Sequence, residues 1–232
     1  MATGSAHLTI GDMIDRVPEG GWQLFERTVP DVGEERYFLV HQSWDYDPVR
    51  LEWGNRPGLL QSPWAGSRTK PRVPLATLPP PEVSFDGPAS DVVDLYTAGP
   101  EAFFISDPLF RLIEGIDPGS LEHVEFLVRA RDSQVPFHAV LPDRVVEAID
   151  TGRTTVLIKD EGRNGIYFRR VRFPDGIRFD NAALQGASSF SDLDANGWYW
   201  SKELIELAKR HGIRGLYAQS VASVPAREIA RL

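Results

Sequence analysis

The chain has 232 residues, of which 42% are hydrophobic and 25% are charged, and its formal net charge is −8. This composition is typical of a folded protein with enough apolar material for a real core. Because the sequence contains no cysteine, it excludes disulfide bonds, thiolate metal sites and cysteine nucleophiles.

The first predicted elements are two strands, GWQLFERTV (21–29) and ERYFLVHQ (35–42). The turn PDVGE separates them, so we predict a hairpin. We expect no secretion signal in this N-terminal segment, because acidic residues such as Asp12 and Asp15 interrupt any apolar stretch. No run in the chain approaches the ~20 apolar residues of a membrane span. We therefore expect a cytoplasmic protein with no membrane partner.

A segment rich in proline and tryptophan follows. Residues 42–90 hold nine of the 18 prolines, together with Trp44, Trp53 and Trp64. Proline cannot donate to a strand ladder, which excludes a central strand or a long helix here. A disordered linker would be poor in aromatic residues. We predict an irregular segment that packs on a core.

The segment FFISDPLFRLIEG (103–115) predicts a short helix. Asp107 is a natural N-cap, and Pro108 suits the first helical position, where a missing N–H costs nothing. Gly115 is expected to end the helix.

Four further segments are predicted to be strands. They are HVEFLVRAR (123–131), PFHAVLP (136–142), TTVLIKD (154–160) and GIYFRRVRF (165–173). In the first, apolar residues alternate with the others at the period of a sheet strand. The last two flank the turn EGRN, so we predict a second hairpin.

The segment WSKELIELAKRHGIRGLYA (200–218) predicts a capped helix and then a strand. The Ser201 side chain can accept a hydrogen bond from a free N–H of the first turn. Glu203 lies early and Lys209 late, which suits the helix dipole. Gly212 is expected to be the left-handed C-cap.

Strands dominate this pattern, which predicts an α+β fold: an antiparallel or mixed sheet with a few helices packed on one side. We predict one globular domain in three parts. These are an N-terminal extension with a hairpin start (1–35), the Pro/Trp-rich irregular segment packed on the core (36–90), and an α+β core (91–232).

The sequence DLDANGWYWSKE matches the spacing of a calcium-binding loop through Asp192, Asp194, Asn196, Gly197 and Glu203. No amphipathic helix enters this loop, no second loop is present, and a tryptophan occupies the ninth position. Asn-Gly also favours a type I′ hairpin turn, with SSFSDL and WYWS as its arms. We predict this turn, and keep a calcium site with ligands Asp192, Asp194, Asn196 and Glu203 as an alternative.

No phosphate-binding, dinucleotide-binding, serine-hydrolase or zinc-protease motif is present. We therefore expect no catalytic residue, no cofactor and no metal outside that alternative. The five histidines are spread along the chain, none at metal-ligand spacing from another, and we interpret His138 as a structural histidine in a strand. A hydrolase or transferase with a dispersed acidic site stays an alternative, since its carboxylates can be distant in sequence.

The only basic cluster is FRRVRF (168–173), in which Arg170 and Arg172 would share one face of a strand. Basic residues beside aromatic ones can bind single-stranded nucleic acid. An acidic chain disfavours phosphate backbones and favours encounter with a basic partner. We therefore interpret the cluster as a solvated sheet face and expect no nucleic-acid partner.

The layout of the chain carries a resemblance to a known family. The segments FFISDPLFRLIEG, HVEFLVRAR, FHAVLP, GIYFRRVRF and WYWSKELIELAKRHGIRGLYA follow one another in this order. The strand Tyr37-Phe38-Leu39 precedes the Trp/Pro-rich region Trp44–Pro81, and a capped helix precedes Gly212-Ile213-Arg214-Gly215-Leu216. This order, over about residues 36–220, resembles an immunity-protein family of bacterial polymorphic toxin systems, first defined on a myxobacterial immunity domain.

The resemblance implies a cytoplasmic protein that binds a cognate toxin made by the same cell and blocks it. It supplies no catalytic residues. We expect an immunity protein and not an enzyme, with a basic toxin protein as its partner. The hydrolase or transferase and the calcium-binding module are the alternatives.

Overall fold

The computed structural model describes residues 8–29, 36–43, 45, 50–55, 74–98, 102–163, 166–195 and 197–221. These residues form the helices α1 (Ile10–Arg16), α2 (Asp107–Ile116), α3 (Asn181–Leu184) and α4 (Lys202–Arg210). The strands in the first half are β1 (Trp22–Phe25), β2 (Tyr37–Gln42), β3 (Leu51–Trp53), β4 (Val83–Phe85), β5 (Leu95–Thr97), β6 (Phe103–Ser106) and β7 (Leu121–Arg129). The later strands are β8 (Gln134–Pro142), β9 (Val145–Val146), β10 (Val156–Arg163), β11 (Ile166–Arg172), β12 (Ser189–Asp192), β13 (Trp198–Ser201) and β14 (Leu216–Ser220).

The chain divides into two units, each assembled from separate segments. The smaller unit comprises Met1–Tyr37, Glu147–Gly186 and Ser220–Leu232. The larger unit comprises Phe38–Val146 and Ala187–Gln219. Within the described ranges, no helix has both the length and the apolar character needed to cross a bilayer.

In the smaller unit, helix α1 packs on one face of the antiparallel sheet β1-β10-β11. The Thr9 hydroxyl accepts from the Asp12 N–H at 3.1 Å, and the Asp12 carboxylate accepts from the Thr9 N–H at 3.0 Å. This reciprocal capping box defines the start of the helix. Apolar residues on its inner side pack against the sheet; the buried cluster is Ile10, Met13, Val17, Val156 and Ile158.

The predicted hairpin between 154–160 and 165–173 forms as β10 and β11, whereas the one between 21–29 and 35–42 is wrong. Strand β1 pairs with β10, and strand β2 lies between β14 and β13 in another sheet. Pairing with β10 places Phe25 opposite Val156, against the apolar cluster beneath α1. A hairpin of β1 with β2 would not bury Phe25 in this way.

The larger unit contains a mixed six-stranded sheet in the order β3-β4-β7-β8-β6-β5. Of its five strand pairs only β4–β7 is parallel. Because side chains alternate across a strand, each face of this sheet has its own core. One core is rich in aromatic rings, including Phe85, Phe104, Phe126 and Phe137. The other joins Ile105, Leu121 and Val140 to helices α2 and α4.

A five-stranded sheet in the order β14-β2-β13-β12-β9 completes the larger unit. Strands β12 and β13 are antiparallel, with Ser189 opposite Trp200, as predicted for the arms of the loop. This register is centred between Asp194 and Ala195, so it does not fit the predicted two-residue turn at Asn196-Gly197. Trp198 and Trp200 are fully buried in the same core as helices α2 and α4. These two tryptophans therefore stabilise the fold and are not free to contact a partner.

Helix α2 differs from its predicted form at both ends. Residues 103–106 form strand β6, because they extend the sheet beside β8. The N-cap is Ser106, whose side chain accepts from the Leu109 N–H, and Asp107 takes the first helical position. The helix also continues through Gly115 to Ile116.

Helix α4 confirms its predicted caps. The Ser201 side chain accepts from the Leu204 N–H at 3.2 Å. Gly212 has φ +68°, and the Ile213 N–H donates to the Ala208 carbonyl at 3.1 Å. The helix therefore ends in a left-handed turn that returns an apolar residue to the core.

The described fold is mixed α/β and mostly β. The end of the predicted Pro/Trp-rich segment contributes Leu75, Val83 and Phe85 to the aromatic core. Residues 56–73, which include Trp64, lie outside the described residues, as does Trp44. The packing of the whole segment and the boundaries after residues 35 and 90 stay predictions.

Candidate functional site

The loop that begins at Asp192, for which calcium binding was the alternative, is a turn closed by its own aspartate. Asp192 is 1% exposed, and its Oδ1 accepts from the Asp194 N–H at 2.9 Å and the Ala195 N–H at 3.2 Å. Aspartate commonly folds a turn in this way. This oxygen is therefore already engaged inside the loop.

The remaining residues of that alternative do not converge. Asn196 lies outside the described residues, and Glu203 is exposed in the first turn of α4. Within the described part of the chain, Asp192, Asp194 and Glu203 do not form a cluster of possible metal ligands. Glu203 suits the positive end of the helix dipole, as predicted.

A different cluster of possible metal ligands lies on the six-stranded sheet. Glu125 of β7 stands directly opposite His138 of β8, and His123 lies two residues before Glu125 on the same face. One ligand atom from each of these three side chains lies within 4.8 Å of the other two. In the described residues this is the only cluster of its kind.

The His138 ring is the buried member of this cluster. The residue is 3% exposed, and Phe110 of helix α2 stacks on its ring at a centroid distance of 4.0 Å and an angle of 16°. His123 and Glu125 are exposed. The cluster therefore has one fixed member and two that solvent reaches.

Asp107, also in helix α2, contacts the His138 ring at Nε2 and orients it. Its Oδ1 lies 3.3 Å from His138 Nε2, and its Oδ2 accepts from Arg111 Nε at 2.9 Å. An ionised carboxylate only accepts hydrogen bonds, so Nε2 carries the proton. His138 Nδ1 is buried and has no hydrogen-bond partner among the described residues.

The pKa values of this pair reflect the same contacts. Burial lowers the pKa of His138, and the neighbouring His123 lowers it further against the opposing effect of Asp107. Burial alone would raise the pKa of Asp107, but the hydrogen bonds from His138 and Arg111 hold it below its ordinary value of 3.8. The neutral imidazole beside an ionised carboxylate is therefore the favoured state near neutral pH.

These side chains border an open groove of about 480 Å³. Its lining combines Asp107, Arg111, Glu125 and His138 with the exposed Leu127 and with Pro136. The groove therefore offers two carboxylates, a guanidinium and an imidazole beside apolar surface.

The cluster is not apparent from the sequence, because its two histidines, His123 and His138, are far apart along the chain. His123 and His138 meet only through the register of β7 and β8. The usable signal was the spacing of His123 and Glu125, which places both on one face of a predicted strand. His138 does lie in a strand, as predicted.

A second feature lies in the smaller unit, on the sheet face opposite helix α1. Trp22 is 66% exposed and Leu24 is 41% exposed, whereas Phe25 turns toward the core. Leu157 stands opposite Leu24, on the same face. We call the surface formed by Trp22, Leu24 and Leu157 the β1 face.

Basic residues continue this face across the sheet. Lys159 stands opposite Trp22, Arg170 opposite Lys159 and Arg172 opposite Leu157. Arg170 and Arg172 therefore share a face, as predicted from FRRVRF. Arg172 Nε is buried with no hydrogen-bond partner in the described part of the chain.

A groove of about 580 Å³ borders the β1 face. Its lining includes Trp22, Leu24 and Leu157 together with Glu26, Arg27 and Asp175. Asp175 also accepts a hydrogen bond from the Thr155 hydroxyl at 2.8 Å. The groove lining therefore combines apolar and charged side chains.

Comparison with known proteins gives no family for this chain: no protein-family model matches it, and no curated protein matches it.

Proposed function

We propose that this protein is an immunity protein, which binds a cognate bacterial toxin and blocks it through a protein–protein interface. The observation that carries the proposal is the β1 face, where a tryptophan and a leucine stand exposed beside a groove. Tryptophan is prominent among the residues that dominate binding energy at interfaces. The resemblance over about residues 36–220 supports the same class of function.

The chemistry of the β1 face defines the toxin surface that fits it. Lys159, Arg170 and Arg172 border its apolar centre. Arginine pairs well with carboxylates, through charge-assisted and often bidentate hydrogen bonds. For this face we therefore propose an apolar, carboxylate-bearing patch on the toxin, in place of the basic partner expected from the net charge.

A tryptophan beside arginines also suits single-stranded nucleic acid. A phosphate backbone carries a charge at every nucleotide, so the net charge of −8 opposes it more strongly than it opposes an apolar protein patch with few carboxylates. We therefore favour a protein partner.

The test pairs this chain with the protein encoded beside its gene. The toxin domain of that neighbour is expressed in a susceptible host with and without the chain, and binding of the purified pair is measured by calorimetry. We expect wild type to protect the host. Trp22→Ser is expected to weaken binding by about 2 kcal/mol or more, which is roughly 30-fold, and to abolish protection.

Two exposed residues outside the face provide matched controls. Tyr217→Ser and Val145→Ser remove exposed apolar side chains from the larger unit and should leave binding and protection intact. The proposal fails if the neighbour is a housekeeping enzyme, if Trp22→Ser protects fully, or if Trp22 is required to bind a single-stranded oligonucleotide.

A second candidate function is a hydrolase or transferase, and the groove beside His138 favours it. Asp107, Glu125 and His138 provide carboxylates and an imidazole in one open cleft, as general acid–base chemistry requires. Turnover of ester or phosphoester substrates that is lost in Glu125→Gln would favour this candidate. Full turnover in that variant would show that the groove beside His138 is not the active site.

A further inference from the structure

We propose that His123, Glu125 and His138 form a binding site for a divalent transition-metal ion, with Zn²⁺ as the best fit. The inference concerns the larger unit and does not depend on the proposed toxin binding. It rests on the convergence of three ligand atoms and on the buried, unpartnered nitrogen of His138.

The ligand set indicates the class of metal. Imidazole nitrogen with a carboxylate oxygen suits Zn²⁺ and its first-row neighbours. Mg²⁺ and Ca²⁺ prefer sites made of oxygen ligands alone. Two histidines and one glutamate therefore favour zinc over the common cellular cations.

The geometry requires only a small closure. Ligand atoms of a tetrahedral zinc site lie roughly 3.3 Å apart, given metal–ligand distances of about 2.0–2.1 Å. The three atoms here are within 4.8 Å of one another. His123 and Glu125 are exposed on the strand surface, so rotation of their side chains can supply the difference while His138 stays fixed.

Asp107 is the positioning residue of this site. By accepting the Nε2 proton of His138 across 3.3 Å, it leaves a lone pair on Nδ1, the nitrogen that has no partner. Carboxylates hold metal-binding histidines in this way in many proteins. Arg111 holds the other carboxylate oxygen at 2.9 Å, which keeps Asp107 turned toward the ring.

Three protein ligands leave one tetrahedral position free. The two exposed ligands and the adjoining groove give solvent and small molecules access to it. The site therefore has the form of an open zinc site and not of a closed structural one.

The test is a calorimetric titration of the full chain, freed of metal by a chelator, with ZnCl₂. Titration with Co²⁺, whose visible absorption reports low-coordinate binding, gives a second readout. We expect a one-to-one complex that excess Mg²⁺ does not displace. His123→Ala and Glu125→Gln should each lower zinc affinity by more than the roughly 10–100-fold typical of losing an outer-shell partner.

Matched controls separate this site from general surface binding. His211→Gln and Glu206→Gln change exposed residues on or beside helix α4 and should leave the zinc affinity unchanged. Asp107→Asn should lower it by about 10–100-fold. In the metal-free protein, nitrogen NMR should show the Nε2–H tautomer of His138 in wild type and its loss in Asp107→Asn, a change that a purely structural role would not produce.

The proposal is overturned if zinc does not bind, or if Mg²⁺ displaces it. It is also overturned if His123→Ala binds zinc as wild type does, or if His211→Gln weakens binding equally. Because His123 and Glu125 are exposed, their variants should fold, and circular dichroism checks this directly.

Discussion

The indole N–H of Trp198 donates to the Ser189 hydroxyl across 2.7 Å, and both residues are fully buried. Ser189→Ala would leave this donor without a partner in the core. We expect the free energy of unfolding to fall by about 1–3 kcal/mol, measured by urea denaturation. Ser84→Ala, on the exposed side of β4, should change it by less than about 0.5 kcal/mol. Equal effects would show that the buried bond contributes nothing.

Gly215 approaches Val93 too closely for any side chain. A Cβ at Gly215 would lie 2.7 Å from Val93 Cγ2, and its φ of +80° is strained for other residues. We expect Gly215→Ala to lower the free energy of unfolding by about 1–2 kcal/mol through backbone strain and by a further ~1–3 kcal/mol through overpacking against Val93. Gly119→Ala shares the positive φ but meets no atom within 4 Å, so only the backbone cost should appear. Thermal unfolding of both variants tests the difference.

Tyr96 predicts a loss of stability at high pH. Burial raises its pKa above the ordinary value of 10.0, and the hydrogen bond from the Val93 N–H opposes this only in part. Above pH 10 the unfolded chain releases the phenol proton first, so stability is complete below that pH and falls as pH rises. Urea unfolding measured from about pH 9 to about pH 11 should show that the free energy of unfolding declines less with pH in Tyr96→Phe than in wild type. Tyr217→Phe, at an exposed site, should follow wild type.

We expect calcium not to bind the loop that begins at Asp192. Its Oδ1 already accepts from two backbone N–H groups, and Asp192, Asp194 and Glu203 form no cluster of possible metal ligands among the described residues. Calorimetric titration with CaCl₂ should give no heat of binding, and the thermal midpoint should not move. Micromolar binding that disappears in Asp192→Ala would contradict this and restore the calcium-binding module.

Local signals predicted local structure well. Ser201 and Gly212 bound helix α4 as predicted, because caps depend on residues within one turn. The hairpins β10–β11 and β12–β13 also form, since their strands are neighbours in the sequence. In helix α2 the N-cap is one residue from its predicted position, at Ser106 in place of Asp107, and the helix ends beyond the predicted Gly115.

Pairing between distant strands could not be predicted in the same way. Whether β1 joins β2 or β10 depends on which partner buries Phe25, and alternation of side chains does not encode that choice. The His123–Glu125–His138 cluster depends likewise on the register of two strands. A shift of one residue in that register would turn His138 to the opposite face of the sheet.

The pairing of β1 with β10 constrains how the protein is made. At translation rates of about 5–20 residues per second, β1 leaves the ribosome on the order of ten seconds before β10 exists. During that interval Trp22, Leu24 and Phe25 lie on a strand whose partner has not yet been synthesised. Their exposed apolar side chains can then bind chaperones or promote aggregation. A nascent chain stalled before residue 156 would therefore expose an unpaired apolar strand near its N-terminus.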